Sequence, residues 1–229
     1  MGKKTQRRRL PEDRENNLVK NFQPRTDKQR FFVNLIEDKE VVIAEGVPGS
    51  GKTFVALATA LSLLGETYKK LILVKSVTTL PDEDLGYLPG DQLQKMEPFM
   101  LSYKWNVDKI CGEGAFDGLL KKKLIEILPL AFVRGLSIDN AVVIIDETQN
   151  LSDHTFKTIM TRIGTDSKYV FLGDTEQVDK KKKNESCLNK VVDIFKDSNI
   201  VGTVEFTNED CVRNPIIPKI LEALRTRGM

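Results

Sequence analysis

The chain has 229 residues, a formal net charge of +2, 40% hydrophobic residues and 30% charged residues, which suits one globular domain with a sizeable core. It has no apolar run long enough for a membrane span, and its basic N-terminus lacks the apolar segment of a secretory signal, so we expect a cytoplasmic protein without a membrane partner. Three widely spaced cysteines outside any metal-binding pattern argue against a disulfide framework and a zinc site.

The charge is unevenly distributed along the chain. Residues 1–9 carry five basic residues and no acidic one, so the rest of the chain is slightly acidic. We predict that residues 1–24 form a basic, disordered arm and that residues 25–229 form a single domain with a helical insert at about 76–130. The arm can bind nucleic acid phosphates or can simply be solvated, and the composition leaves both interpretations open.

Strand and helix patterns alternate through the predicted domain. In chain order, we predict a helix at 26–37, a strand at 41–44, a helix at 54–64, a strand at 71–74, helices between 95 and 128, a strand at 142–145, a helix at 152–163, a strand at 169–172, a helix at 188–195, a strand at 200–206 and a helix at 215–224. Apolar strands that alternate with helices indicate an α/β fold, with a parallel sheet covered by helices on both faces.

A glycine-rich loop joins the first predicted strand to the next helix. Residues 46–53 read GVPGSGKT, which fits G-x-x-x-x-G-K-[ST] in the context that this phosphate-binding motif requires. Loop N–H groups and the helix N-terminus would bind phosphate oxygens, Lys52 would reach the β- and γ-phosphates, and Thr53 would ligate Mg²⁺. We therefore predict ATP and Mg²⁺ as cofactors, the alternative being a glycine-rich turn with an incidental lysine. The predicted nucleotide-binding residues of this loop are Gly46, Val47, Pro48, Gly49, Ser50, Gly51, Lys52 and Thr53.

Two adjacent carboxylates follow the predicted strand at 142–145. The segment reads VVIIDETQN, which places Asp146 and Glu147 at the carboxyl end of the sheet, where ligands bind in open parallel sheets. We predict that Asp146 holds Mg²⁺, directly or through water, and that Glu147 orients and polarises the water that attacks the γ-phosphate. The alternative is that both acids cap the next helix, but Ser152 already supplies a cap there.

The next strand end carries a third polar motif. Residues 173–179 read GDTEQVD, in which Gln177 can sense the γ-phosphate or the attacking water. After a P-loop and an Asp-Glu strand end, this segment resembles the GDxxQ motif of superfamily-one helicases. That resemblance implies a RecA-like domain, and it implies that Gln29 reads the adenine base, with a solvated helix residue as the alternative at that position.

The chain as a whole resembles the PhoH family of RecA-like P-loop ATPases over residues 22–224. The motifs that carry the resemblance are LGYLPGD (85–91), FVRG (132–135), DETQN (146–150), TRIG (161–164), GDTEQVD (173–179) and DCVRNP (210–215). It implies an ATPase of a family regarded as RNA helicases or RNA-processing ATPases, often ring-forming and found in bacteria and phages. The short chain and its basic arm suit a phage member, which would act in the host cytoplasm.

A single RecA-like domain lacks the second lobe that closes over the nucleotide in two-domain helicases. We therefore expect a homo-oligomeric ring, such as a hexamer, in which a neighbouring subunit supplies an arginine worth roughly 10³–10⁵ in rate. Arg213, Arg162 and Arg134 lie in family motifs, and we favour Arg213 because it follows the last strand. A structural ion pair is the alternative for this arginine.

Other aromatic and basic residues leave two interpretations open. Phe99, Tyr103 and Trp105 lie in the predicted insert and can stack on bases, although aromatic residues more often belong to the core. The run Lys180–Lys183 can form a phosphate-binding patch beside the nucleotide sensor, or a solvated loop.

We therefore expect a Mg²⁺-dependent ATPase that binds or unwinds RNA or single-stranded nucleic acid. One alternative is a nucleotide-gated assembly ATPase without helicase activity, which would oligomerise with ATP and ignore RNA. A small-molecule or nucleotide kinase also uses a P-loop, but the acid pair and the absence of an arginine-rich lid weigh against it. The predicted catalytic residues are Lys52, Glu147, Gln177 and Arg213.

Overall fold

The computed structural model describes residues 18–65, 67–75, 92–133, 135–174 and 187–212, together with the single positions 216, 219, 220, 223 and 226, and for residues 75, 92–99 and 131 only the backbone. The helices are α1 (Asp27–Asp38), α2 (Lys52–Ser62), α3 (Gln92–Cys111), α4 (Ala115–Lys121), α5 (Leu130–Val133), α6 (Asp153–Met160) and α7 (Leu188–Phe195). The strands are β1 (Val41–Gly46), β2 (Lys70–Lys75), β3 (Ile125–Pro129), β4 (Ala141–Asp146), β5 (Lys168–Leu172) and β6 (Val201–Phe206). Within these ranges, none of the helices has the length and hydropathy needed to span a bilayer.

The strands form one six-stranded sheet in the order β3-β2-β4-β5-β1-β6. Every neighbouring pair is parallel, and β1 lies between β5 and β6, so that Val42 is in register with Val170 on one side and Gly202 on the other. Because all strands run in the same direction, their carboxyl ends lie along one edge of the sheet. The predicted parallel α/β architecture is confirmed.

Helices cover both faces of this sheet. Successive strand residues point to opposite faces, so Val42 and Ala44 pack with α1 to α4, while Val41 and Ile43 pack with α5 to α7. All four of these β1 side chains are buried. A strand that is apolar on both faces is what the sequence of β1 predicts.

Local capping explains where two of the predicted helices begin. The side chain of Thr26 accepts a hydrogen bond from the Gln29 N–H at the start of α1, and Ser152 accepts one from Thr155 at the start of α6. Ser152 is therefore the cap of α6, as predicted from the sequence. The helix ends at Met160 rather than near Gly164, and Ile163 instead forms a parallel bridge with Ile138.

The predicted insert and arm differ from the structure in two places. Residues 125–129 form β3, an edge strand parallel to β2, where a helix was predicted. Val19 and Phe22 are buried, and the N–H groups of Lys20 and Asn21 both donate to the Ile110 carbonyl at 3.0 Å. The packed part of the chain therefore begins before residue 25, the predicted start of the domain.

Candidate active site

The loop between β1 and α2 has the backbone conformation of a phosphate-binding loop. Gly46, Gly49 and Gly51 have φ angles of +128°, +86° and +85°, which residues with side chains rarely adopt. A Cβ atom at Gly46 would also lie 2.0 Å from the carbonyl oxygen of Phe206. The Val47 N–H donates to that same oxygen at 3.1 Å. The end of β6 therefore holds the start of the loop in place.

Gly46→Ala is expected to lower the free energy of unfolding by about 3 kcal/mol or more, because it adds backbone strain and a clash with the Phe206 carbonyl. Gly65→Ala is the matched control. Gly65 has a φ of +82°, but a Cβ atom there meets nothing within 4 Å, so a loss of about 1 kcal/mol is expected. Denaturant unfolding measures both variants, and equal losses would show that the Phe206 contact does not constrain the loop.

Lys52 is the first residue of α2, and its ammonium group lies against the loop. Its Nζ donates to the carbonyl oxygens of Gly46 at 2.7 Å and Val47 at 2.9 Å. The Ser50 hydroxyl donates to the same Val47 carbonyl at 2.9 Å. These bonds hold the positive charge at the loop, where the phosphates of a nucleotide would meet it.

Gln29 joins the start of α1 to the same loop. The side chain is 3% exposed, its Nε2 donates to the Ser50 carbonyl at 2.8 Å, and its Oε1 accepts from the Arg25 N–H at 2.7 Å. A Cβ atom at Gly51 would lie 2.9 Å from this Nε2. Gln29 is therefore not a solvated helix residue, and its recognition of an adenine base stays a prediction.

Thr53 and Asp146 bring two oxygen donors together at the carboxyl end of the sheet. The Thr53 hydroxyl donates to Asp146 Oδ2 at 3.4 Å. Among the residues that the structure describes, no cluster of three or more histidine, cysteine, aspartate or glutamate side chains could hold a metal ion. Mg²⁺ in nucleotide sites usually takes only one or two protein carboxylates, together with phosphates and waters. A hydroxyl and a carboxylate beside a P-loop fit an ion of that kind.

Glu147 is held in an unusual backbone conformation beside Asp146. Its φ is +58°, which costs a residue with a side chain about 1–3 kcal/mol. Its N–H donates to Asp146 Oδ1 at 3.0 Å, and its Oε2 accepts from Gln149 Nε2 at 2.7 Å. The acid pair is thus part of the strand end, and α6 takes its cap from Ser152.

Gln149 is a site residue that the sequence interpretation missed. It is 3% exposed, and its Oε1 accepts from the Asp174 N–H at 3.1 Å while its Nε2 holds Glu147. Its amide therefore connects the ends of β4 and β5. The signals in the sequence were its position two residues after the acid pair and its place in the motif DETQN (146–150).

Tyr103 also contributes to the site, although the sequence left open whether it stacks on bases or belongs to the core. The residue is 1% exposed, and burial raises the pKa of its hydroxyl well above the ordinary value, with the negative charges of Asp146 and Glu147 raising it further. The hydroxyl makes no hydrogen bond of ordinary geometry within the described part of the chain. Tyr103 is therefore a core residue of α3 that keeps a protonated hydroxyl close to the acid pair.

Glu45 is a buried carboxyl group one residue before the P-loop. The pKa of this carboxyl is raised from 4.5 to about 7, mainly by burial and also by the negative charges of Glu205 and Asp193, while Lys52 acts in the opposite direction. Glu205 is directly in register with Glu45 on the neighbouring strand. Because the folded-state pKa lies above the unfolded value, the protonated group stabilises the fold below about pH 4.5, and this contribution is lost as the pH rises through about 7.

Glu45→Gln is expected to increase the free energy of unfolding at pH 8 by about 1–2 kcal/mol relative to the wild type, and to change it little at pH 5. The amide keeps the shape of the protonated side chain and cannot ionise. Denaturant unfolding across this pH range tests the prediction, with Glu113→Gln, at an exposed position, as the control. An increase of the same size at both pH values would show that ionisation of Glu45 is not the cause.

Several predicted residues lie outside the described residues: Gln177, Arg213, Arg134 and Lys180–Lys183. Their roles stay predictions. Arg162, the other arginine considered, is exposed just after α6. Val212, which precedes Arg213 in the sequence, donates its N–H to the Gly49 carbonyl at 3.0 Å. The segment after β6 therefore contacts the P-loop.

A cleft of about 1660 Å³ opens at the P-loop. Its lining includes Lys52, the acid pair and Asp174, and also residues 20–25 and one side of α3. Residues 20–25 and α3 are joined through the Ile110 carbonyl. The nucleotide-binding loop and the N-terminal part of the described chain therefore face a common space.

Together, the sheet and the loop define the class of protein. A six-stranded parallel sheet with helices on both faces and a P-loop after its first strand is the fold of a RecA-like P-loop NTPase. The sequence places the chain more narrowly, because the model of the family described as PhoH-like protein matches residues 21–225. The chain belongs to the PhoH family.

Relatives of known sequence agree with this placement, and a solved structure shows a similar fold. The chain is 32% identical over 204 residues to the PhoH-like protein of Bacillus subtilis (strain 168), covering 89% of this chain and 64% of the relative. It is 33% identical over 201 residues to protein PhoH of Escherichia coli (strain K12), covering 87% and 57%. The chain thus spans about three fifths of the length of these relatives. In structure it resembles the large terminase of a thermophilic bacteriophage, with a TM-score of 0.51, 14% identity and coverage of 88% and 50%, a likeness of fold.

Proposed function

We propose that this protein is a Mg²⁺-dependent ATPase whose turnover is coupled to RNA or another single-stranded nucleic acid. The observation that carries the ATPase part is the meeting of three groups at the carboxyl end of the sheet. Lys52 lies at the P-loop, the Thr53 hydroxyl meets Asp146 at 3.4 Å, and Glu147 is held by Gln149 at 2.7 Å. Lys52 can bind phosphate, Thr53 and Asp146 can bind a metal ion, and Glu147 can activate water.

The P-loop supplies the binding step. Its three glycines at positive φ allow successive N–H groups to face phosphate oxygens, and the N-terminus of α2 adds partial positive charge. Lys52 would exchange its carbonyl partners for the β- and γ-phosphates. Thr53 and Asp146 would hold Mg²⁺, which neutralises charge on the phosphates when bound.

Glu147 supplies the hydrolytic step. A water molecule attacks the γ-phosphorus as the bond to the β-phosphate oxygen breaks, which gives ADP and inorganic phosphate. Glu147 accepts the proton of this water, and the bond from Gln149 fixes the direction of its carboxylate. Because Gln149 also holds the Asp174 N–H, the position of Glu147 depends on the end of β5, the strand that precedes Gln177 in the sequence.

Oligomerisation and sensing complete the proposal. We assign Gln177 to sensing of the γ-phosphate and Arg213 to transition-state stabilisation across a subunit interface in a homo-oligomeric ring. The assignment of Arg213 is supported by its place after the last strand in the family motif DCVRNP (210–215), while the contact of Val212 with Gly49 is made within one subunit. The family resemblance supports RNA as the partner and the cytoplasm as the location, and the basic residues 1–9 also support RNA.

The affinity for a single strand in two nucleotide states tests the coupling. Fluorescence anisotropy of a labelled RNA oligonucleotide measures binding to the full chain with Mg²⁺ and ADP, and with Mg²⁺ and a non-hydrolysable ATP analogue. Coupled sites should give affinities that differ by about 5- to 150-fold between the two states. A labelled duplex of the same length is the control for strand specificity.

Two other results would replace the nucleic acid part of the proposal. Equal affinities, with sedimentation showing assembly that depends on ATP alone, would identify a nucleotide-gated assembly ATPase. Transfer of the γ-phosphate to a nucleoside monophosphate instead of to water would identify a kinase.

A further inference from the structure

Trp105 is placed unusually for a tryptophan. It lies on α3 with 78% of its surface exposed, and Leu101, one turn earlier on the same helix, is 62% exposed. Tryptophan is normally among the more deeply buried residue types. Both side chains line the cleft that opens at the P-loop. An apolar surface therefore faces the same space as the nucleotide-binding loop.

The helix that carries Trp105 is firmly anchored. Tyr103, Val107 and Ile110 on its inner side are at most 1% exposed. The Ile110 carbonyl accepts two backbone N–H groups from residues 20 and 21, and Asp108 accepts the N–H of Phe116 at 2.9 Å. The indole is therefore presented by a rigid element, which keeps the entropic cost of ordering it for a ligand low.

The cleft has more space than one nucleotide requires. Its volume is about 1660 Å³, whereas sites for small molecules and cofactors usually measure about 300–1,000 Å³. A nucleotide on the P-loop would therefore leave part of the cleft open. Trp105 and Leu101 belong to the wall formed by α3, which is separate in sequence from the loop.

The charges on this wall favour a polyanion. The part of the lining that comes from residues 20–25 and α3 includes four basic side chains, Lys20, Arg25, Lys104 and Lys109, and one acidic side chain, Asp108. Lys104 is ion-paired with Asp108 and with Asp117, so the other three basic side chains are the ones that favour a polyanion. The other acidic groups of the cleft come from the strand ends that serve the nucleotide. Basic side chains around an exposed aromatic ring are the usual composition of a surface that binds a single strand.

We propose that Trp105 is a stacking platform for a base of a single-stranded nucleic acid that passes along α3 beside the bound nucleotide. The base covers the indole and contacts Leu101. The backbone phosphates are held by Lys20, Arg25 and Lys109. This inference rests on the proposed function, since it names the strand-binding surface of that same cleft. A neighbouring subunit of the proposed ring would reach the nucleotide side of the cleft, but it is a poorer occupant of the wall around Trp105, because lysines such as those on this wall are depleted in the cores of protein interfaces.

Intrinsic fluorescence tests this directly, because Trp105 is the only tryptophan of the chain. The full-length protein is titrated with a single-stranded RNA oligonucleotide, with an abasic strand of the same length, and with Mg²⁺ and ADP. Stacking of a base should quench the emission with the RNA and not with the abasic strand. Equal quenching by both strands would overturn the proposal, because phosphates alone would then suffice. Quenching by ADP with none by RNA would also overturn it and would assign the platform to the base of the bound nucleotide.

Substitutions give the magnitude of the effect. Trp105→Ala is expected to weaken binding of a labelled RNA oligonucleotide by about 5- to 150-fold, the usual range for one stacked base, and Trp105→Phe by less. Phe31→Ala is the matched control, because Phe31 is an aromatic residue that is 50% exposed and is not among the residues that line the cleft. Unchanged affinity in Trp105→Ala, or an equal loss in the control, would contradict the platform.

Failure of this inference can be distinguished from failure of the proposed function. If RNA accelerates ATP turnover in the wild type and in Trp105→Ala alike, and does not quench Trp105, the strand binds elsewhere and the platform is wrong. If RNA quenches Trp105 but leaves turnover unchanged, the platform is supported and the coupling to hydrolysis is wrong.

Discussion

Glu147→Gln is expected to lower the rate constant of ATP hydrolysis by about 10²–10⁴-fold and to leave nucleotide affinity nearly unchanged. Glutamine retains a side-chain oxygen that can accept the hydrogen bond from Gln149, which is 2.7 Å long in the wild type. The geometry of the strand end should therefore persist. What the variant loses is the group that accepts the proton from the attacking water.

Phosphate release under saturating ATP measures the rate constant, and equilibrium binding of a labelled nucleotide measures the affinity. Glu126→Gln is the matched control, because this carboxylate lies on the edge strand β3 and pairs with Lys70 at 3.2 Å, away from the site. The control should hydrolyse ATP at the wild-type rate. Turnover near the wild-type rate in Glu147→Gln would remove Glu147 from the mechanism.

Lys52→Ala is expected to weaken nucleotide binding by at least about 10-fold and to lower the rate constant of hydrolysis by about 10²–10³-fold. The ammonium group is the only positive side chain that the described P-loop residues 46–53 contribute. Its removal also leaves the carbonyl oxygens of Gly46 and Val47 without this donor. The variant should therefore bind the nucleotide more weakly and stabilise the charge of the transition state less.

Lys190→Ala is the control for Lys52→Ala, because Lys190 forms an exposed ion pair with Asp153 at 2.9 Å and does not line the cleft. The same binding and phosphate-release measurements apply to both variants, and denaturant unfolding checks that each is folded. Nucleotide affinity equal to the wild type in a folded Lys52→Ala variant would contradict the role assigned to the loop.

The sequence predicts most elements of the sheet because their signals are local. The strands β1, β4 and β5 are short apolar runs, and the helix α7 shows its spacing over the full predicted range 188–195. The strand β3 was missed because its apolar residues in LIEIL also fit helical spacing. What makes it a strand is pairing with β2, which lies about fifty residues earlier in the chain.

In the candidate site, too, some residues belong to local sequence motifs and others are brought into place by contacts between distant parts of the chain. The P-loop and the acid pair are each contiguous in the sequence, so the sequence alone indicates their chemistry. The roles of Gln149 and Tyr103 depend on tertiary packing, because this packing brings the ends of β4 and β5 close to the helix α3. Residues 18–24 were missed for that reason too, since Val19 and Phe22 are buried by tertiary packing, which includes the contacts of residues 20 and 21 with α3 and of Phe22 with Phe54 of α2.

Trp105 and Tyr103 show what helix geometry adds to a sequence pattern. Residues two positions apart on a helix differ by about 200° in direction, so these two side chains of α3 cannot both face the core. The structure places Tyr103 inside, at 1% exposure, and Trp105 outside, at 78%. Helical spacing shows that the two side chains point in different directions, but it does not show which of them is buried.

The most direct test of the central claim is the rate of phosphate release from ATP by the purified full-length chain, measured with and without single-stranded RNA in the presence of Mg²⁺. We predict measurable turnover without RNA, a higher rate with it, and rates lower by about 10²–10⁴-fold under both conditions in Glu147→Gln. Absence of hydrolysis by the wild type under both conditions would contradict the ATPase. Hydrolysis that depends on Glu147 but is the same with and without RNA would retain the ATPase and contradict its coupling to nucleic acid.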